Sequence, residues 1–168
     1  MKRANAIALA FGLALAAVAA WRAAPASVPA HAIALPAAPR VVFRGGDAAE
    51  IALARGALAR VFATPTGGRA FQLLDSLARP LTIELNRRGE NFTAYRVPGR
   101  ELGETIFFDP SSRPLVETAN GREPAHAETV LAHELGHAVF KLTSEQEVID
   151  AIENPIRDQL GLPRRSRF

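Results

Sequence analysis

"LAHELGHAVF", residues 131–140, sets two histidines four positions apart, with a glutamate directly after the first. On an α-helix, residues i and i+4 lie on one face, one turn apart and about 6 Å along the axis. Two imidazoles so placed reach one zinc ion at about 2.0–2.1 Å and fill two of its tetrahedral positions. His133 and His137 are therefore candidate metal ligands. Glu134 points past such an ion and is placed to take a proton from water, which makes it the candidate general base. The flanks agree with a helix, because Val130, Leu131, Leu135, Ala138, Val139 and Leu142 supply a buried side. Gly136 is a poor helix former, and its presence suggests close backbone packing at the site. The competing reading is a core helix that carries two hydrogen-bonded histidines.

A catalytic zinc keeps three protein ligands and one open position, so a third residue is needed. No histidine follows His137, and Met1 is the only methionine. This excludes the H-E-x-x-H-x-x-G-x-x-H pattern with its Met-turn. The third ligand should then be an acid among Glu145, Glu147, Asp150, Glu153 and Asp158. Ser144 with Glu147 three residues on spells a capping box, which gives Glu147 a local task. Glu145 lies in the first helical turn, where an acid favours the helix dipole whether or not a metal is present. Glu153 shares a face with Ile149 and Ile156, and an acid on an apolar stripe needs a partner. Glu153 is the preferred third ligand, with Glu147 second; the competing role for Glu153 is an ion pair with Arg157, four residues on.

The rest of the chain sets the context. Lys2 and Arg3 precede an apolar run from Ala6 to Trp21 and the Ala/Pro-rich "RAAPASVPAHA". This is the pattern of a secretory signal peptide over residues 1–32, cleaved after Ala26 or Ala32, or of an uncleaved anchor. The expected location is therefore exported, periplasmic or secreted, with membrane attachment only if the segment is retained. Removing Lys2, Arg3 and Arg22 leaves 17 basic residues (20 minus 3) against 17 acidic ones, so no nucleic-acid footprint remains. Only "GLPRRSRF" is locally basic, and it reads as a solvated tail. Cysteine is absent, which excludes thiol catalysis and thiolate metal ligation.

Residues 33–40 form a linker, and 41–168 form one domain. "VVFRG" is a strand candidate, and Asp47 caps a helix over about 48–62. "RAFQLLDSLA" is a second short helix. Three β-type runs follow at 81–85, 92–97 and 104–110, then a polar loop, "SSRPLVETANGREP". Helical pattern returns at 125–142 and 145–160. Helices, a small mainly antiparallel sheet and helices again predict an α+β, zincin-like class.

"LAHELGHA" followed by "IENPIRDQLGLPRR" resembles the C-terminal half of the NleD-type bacterial effector zinc metallopeptidases, which pair H-E-x-x-H-A with E-N-x-x-R…L-G-L-P-x-R. "ATPTGGRAFQLLDSL" and "TIFFDPS" extend the likeness over about residues 41–168. The resemblance implies a zinc endopeptidase with His133 and His137 as ligands, Glu134 as base and a downstream glutamate completing the site. The segment between His137 and the E-N-x-x-R element is short here, and the N-terminal signal differs from injected effectors, so their host substrates are not carried over.

The expected activity is zinc-dependent hydrolysis of a protein or peptide substrate. Arg157, Tyr95 and His126 are the candidates for stabilising a developing oxyanion. Arg157 could instead orient Glu153. The alternatives are a non-catalytic or toxin-like zinc-binding interaction module and a hydrolase of a non-peptide amide. Glu134 favours an enzyme, since a purely structural site has no use for a free carboxylate beside an open metal position. The strand "TIFFD" is either a core strand, the preferred reading, or an edge for an extended substrate.

Overall fold

The computed structural model describes residues 40–94 and 104–166. The expected signal segment 1–32, the linker up to residue 39, and Tyr95 lie outside these described residues. Strand β1 (Val41–Arg44) leads into α1 (Ala48–Phe62). The Asp47 side chain accepts from the Ala49 and Glu50 N–H groups, and Glu50 returns a bond to the Asp47 N–H, so α1 starts on a full capping box. Thr64 caps α2 (Pro65–Leu73) by accepting from the Gly67 N–H. A Cβ at Gly67 would lie 1.9 Å from the Val61 carbonyl oxygen, so only glycine permits this tight reversal between the two helices.

A 3₁₀ turn, Leu74–Ser76, precedes β2 (Leu81–Leu85), β3 (Phe92–Ala94) and β4 (Thr105–Phe108). The sheet order is β1-β2-β4-β3. The class is α+β, as expected, but the pairing is mixed: β1–β2 and β2–β4 run parallel, and β3–β4 runs antiparallel. The cause is topological, because β4 inserts between β2 and β3 instead of following β3 outward. It also settles the role of "TIFFD". Both edges of β4 are paired, and Ile106 and Phe108 are fully buried, so it is a core strand. Among the described strands of this sheet, β1 and β3 are the two edges.

The expected polar loop instead holds a hairpin, β5 (Leu115–Thr118) and β6 (Gly121–Pro124), paired antiparallel. Helix α3 (Ala127–Ala138) carries the H-E-x-x-H motif. The final helical stretch is α4 (Glu145–Val148), a π turn (Ile149–Glu153) and α5 (Asn154–Gln159). The core brings Leu58 and Val61 of α1, Leu81 and Ile83 of β2, Ile106 and Phe108 of β4, and Leu131 and Leu135 of α3 into one cluster. The motif helix is thus buried on one side against α1 and the sheet, leaving its histidine face to the cleft. Among the described residues, no helix is long and apolar enough to cross a membrane.

Candidate metal centre

Helix α3 presents His133 and His137 as the sequence pattern requires, with ring centroids 5.1 Å apart. What fixes each ring is its Nδ1. His133 Nδ1 lies 3.0 Å from Glu153 Oε2, and His137 Nδ1 lies 2.8 Å from the Leu142 carbonyl. Both Nδ1 atoms thus face acceptors, which leaves both Nε2 atoms as lone-pair donors on the cleft side. These face the same carboxylate: Glu145 Oε2 is 2.8 Å from His133 Nε2, and Oε1 is 3.5 Å from His137 Nε2. One ligand atom from each of His133, His137 and Glu145 lies within 4.8 Å of the others. Two imidazoles and one carboxylate form the donor set of a catalytic zinc with one position left open, so these residues fit the ion.

Close packing of α4 on α3 places Glu145. A Cβ at Gly136 would stand 2.6 Å from Val148 Cγ1, so glycine there lets α4 lie directly on the motif helix. Lys141, at φ 61°, turns the chain back between the two, and Ser144 accepts from the Glu147 N–H to start α4. Glu145 begins that helix beside the histidines. Glu147 is exposed, and Glu153 is directed at Nδ1 of His133, away from the nitrogens that converge on Glu145. Glu153 Oε1 accepts from Arg157 Nε at 2.8 Å and Oε2 from Arg165 Nη1 at 3.1 Å, so both of its oxygens are committed to cations or to the ring. Burial raises the Glu153 carboxyl, but the His133 bond and the two guanidiniums outweigh it and hold it below the ordinary glutamate value. Burial likewise pulls the His133 ring down, and the surrounding carboxylates, Glu153 first, bring it above its ordinary value.

Glu134 is buried, and burial pushes its carboxyl above the usual range. The Thr93 hydroxyl, on edge strand β3, lies 2.8 Å from Glu134 Oε2 and 3.0 Å from the Glu134 carbonyl. Arg157 is fully buried, bonded to Glu153, to the Pro163 carbonyl and to Thr129 Oγ1, and it does not reach the cleft. His126 is the exposed N-cap residue of α3. Sequence reading passed over Thr93 and Arg165. Thr93 gives no signal in sequence, whereas Arg165 sits in the L-G-L-P-x-R element. The expectation of a wholly solvated basic tail fails at Arg165, whose side chain is only 15% exposed.

The histidines open onto a cleft of about 560 Å³. Phe92 and Thr93 of β3 line it, as do Leu115 and Val116 of β5 and Glu134 and Glu145. No protein-family model matches the chain, and no curated protein matches it. Among solved structures, the fold is similar to that of the Salmonella zinc metalloprotease effector GtgA, with a TM-score of 0.57 at 20% identity over 78% of this chain and 81% of that one. A likeness at that identity shows a shared fold: this chain has the same α+β architecture as that protein.

Proposed function

We propose that the protein is a zinc-dependent endopeptidase in which His133, His137 and Glu145 hold the metal and Glu134 is the general base. The observation that carries this reading is the convergence of both Nε2 atoms on the Glu145 carboxylate, with the buried Glu134 beside them. It replaces Glu153 with Glu145 as third ligand and gives Glu153 the task of orienting His133. When bound, zinc polarises the scissile carbonyl and acidifies water.

The chain's own residues supply the rest. Thr93 engages Glu134 Oε2, which leaves Oε1 to accept the proton of an attacking water and later return it to the leaving amine. The raised carboxyl suits that exchange, because a base poised nearer neutrality both takes and gives a proton. Edge strand β3 offers main-chain groups to an extended peptide laid along the cleft, an arrangement that brings the peptide past Thr93 and Glu134. We place the enzyme outside the cytoplasm, periplasmic or secreted, on the strength of the N-terminal signal pattern.

The test is purification without chelators, zinc analysis and incubation with an unstructured protein. One zinc per chain and cleavage by the wild type, lost in Glu134→Gln with zinc retained, is the expected result. Wild-type protein that binds zinc and cleaves nothing offered would favour a non-catalytic module, and protein that binds no zinc would refute the assignment.

A further inference from the structure

The C-terminal run after α5 touches both the cleft wall and the metal centre. Asn154, buried, clamps the main chain of Arg165 from both sides: it accepts from the Arg165 N–H at 2.8 Å and donates to the Arg165 carbonyl at 2.9 Å. Arg165 also bridges antiparallel to Thr118, and the Ser166 N–H donates to the Glu117 carbonyl at 2.9 Å. The tail is therefore pinned by one antiparallel bridge and one further main-chain bond to the hairpin whose Leu115 and Val116 line the cleft. With its backbone fixed on that wall, Arg165 sends its guanidinium inward to Glu153 Oε2, the oxygen that also faces His133 Nδ1.

We propose that Arg165 is a positioning residue for His133, acting through Glu153; this rests on the metal-site reading above. A carboxylate anchored through one oxygen can pivot about that contact. Arg157 holds only Oε1, so without Arg165 the Oε2 atom that sets the ring's rotation has no cation fixing it. Two guanidiniums on two different oxygens lock the carboxylate plane, and the plane locks the ring, because a histidine's rotation about χ2 follows the acceptor at its non-ligating nitrogen. The contact is a single N–H···O bond and not a bidentate fork, so an ammonium on a comparable stem can substitute for it.

The experiment compares wild type with Arg165→Met, which keeps the stem's packing, and Arg165→Lys, which keeps the cation. Zinc affinity is read by chelator competition, and the His133 Nδ1–H proton resonance is followed in the zinc-free protein. Arg165→Met is expected to weaken zinc by about 10-fold, the scale of losing a partner behind a ligating histidine, and to shift or broaden that resonance. Arg165→Lys is expected to restore most of both. A folded Met variant with zinc affinity within about twofold of wild type and an unmoved resonance would overturn the proposal. So would equal losses in the Met and Lys variants with a lowered melting temperature of the zinc-free protein, which would make Arg165 a structural prop only. If wild type binds no zinc, the metal-site reading falls, while the resonance in the three zinc-free proteins still decides whether Arg165 positions the ring.

Discussion

Two glutamates face the His133 ring from opposite sides, and their surroundings differ in every respect that matters to a metal. Glu145 meets Nε2 from the first turn of a short surface helix, with 42% of its side chain exposed. Glu153 meets Nδ1 from a π turn in the interior, with 2% exposed and two arginines on its oxygens. A buried charge persists only with compensating partners, and Glu153 has them without any ion. A ligand needs the reverse: lone pairs turned toward neighbouring ligand atoms at the edge of an open space. On the reading proposed above, the apolar stripe around Glu153 marks a support, and exposure beside the cleft marks the ligand.

The largest expected effect uses the third glutamate as reference. Glu134→Gln should lower peptide hydrolysis by about 10²–10⁴-fold while zinc content stays at wild-type level, because it removes only the proton acceptor. A loss of zinc together with activity would mean that Glu134 belongs with the ligands. Glu153→Ala should next destabilise the zinc-free protein by about 3–5 kcal/mol in chemical denaturation, since it leaves Arg157 buried and uncompensated. Glu145→Ala should show the opposite signature: zinc weakened by more than the roughly 10–100-fold expected for a supporting partner, with unfolding of the zinc-free protein nearly unchanged. If the two variants exchange these signatures, the comparison is inverted and Glu153 is the ligand.

Smaller effects sharpen the same contrast. Gly136→Ala should cost about 1–3 kcal/mol, because the new methyl overlaps Val148 and pushes α4 away. It should also weaken zinc, as Glu145 moves with α4, and Val148→Ala in the same chain should recover part of both. The smallest effect is in pH. The folded-state carboxyl of Glu153 is held below the ordinary 4.5, so its contribution to stability is complete above that unfolded value and is lost as pH falls through the folded one. Acid denaturation of the zinc-free protein should therefore steepen below about pH 4.5, and less so in Glu153→Gln. Superimposable curves would show that Glu153 is not held ionised.

These contrasts also show where the sequence was readable. The motif helix, α1 with its Asp47 cap, and the strands at 81–85 and 105–108 follow from periodicity and capping, which are local. The identity of the acid across from the histidines is not local. It depends on Lys141 turning the chain and on a glycine one residue before His137 admitting Val148, two facts that only packing joins. The partners that satisfy Glu153 lie four and twelve residues away, and only the first falls at a helical spacing. The hairpin at 115–124 did carry a signal, Asn120-Gly121, with Gly121 at φ 104°. Its strands are polar because most of their residues face solvent, so alternation gave no second cue. The parallel pairing of β2 with β4 had no cue at all, since nothing in β3 states that the chain will skip a place.

The π turn has a consequence for how the last helical stretch keeps time. Besides Asn154, its buried residues run Val148 and Ile149, Ile152 and Glu153, Ile156 and Arg157, three pairs spaced by four. In a regular α-helix each step of four overshoots a full turn by about 40°, so three such pairs would wind progressively off the core. The Asn154 N–H reaches back to the Ile149 carbonyl, five residues away, and this one wide turn absorbs most of that drift. It brings Glu153 under His133 and Arg157 under Glu153 on a single line. Deleting one residue between Ile149 and Glu153 would leave a better helix whose acid and arginine point the wrong way.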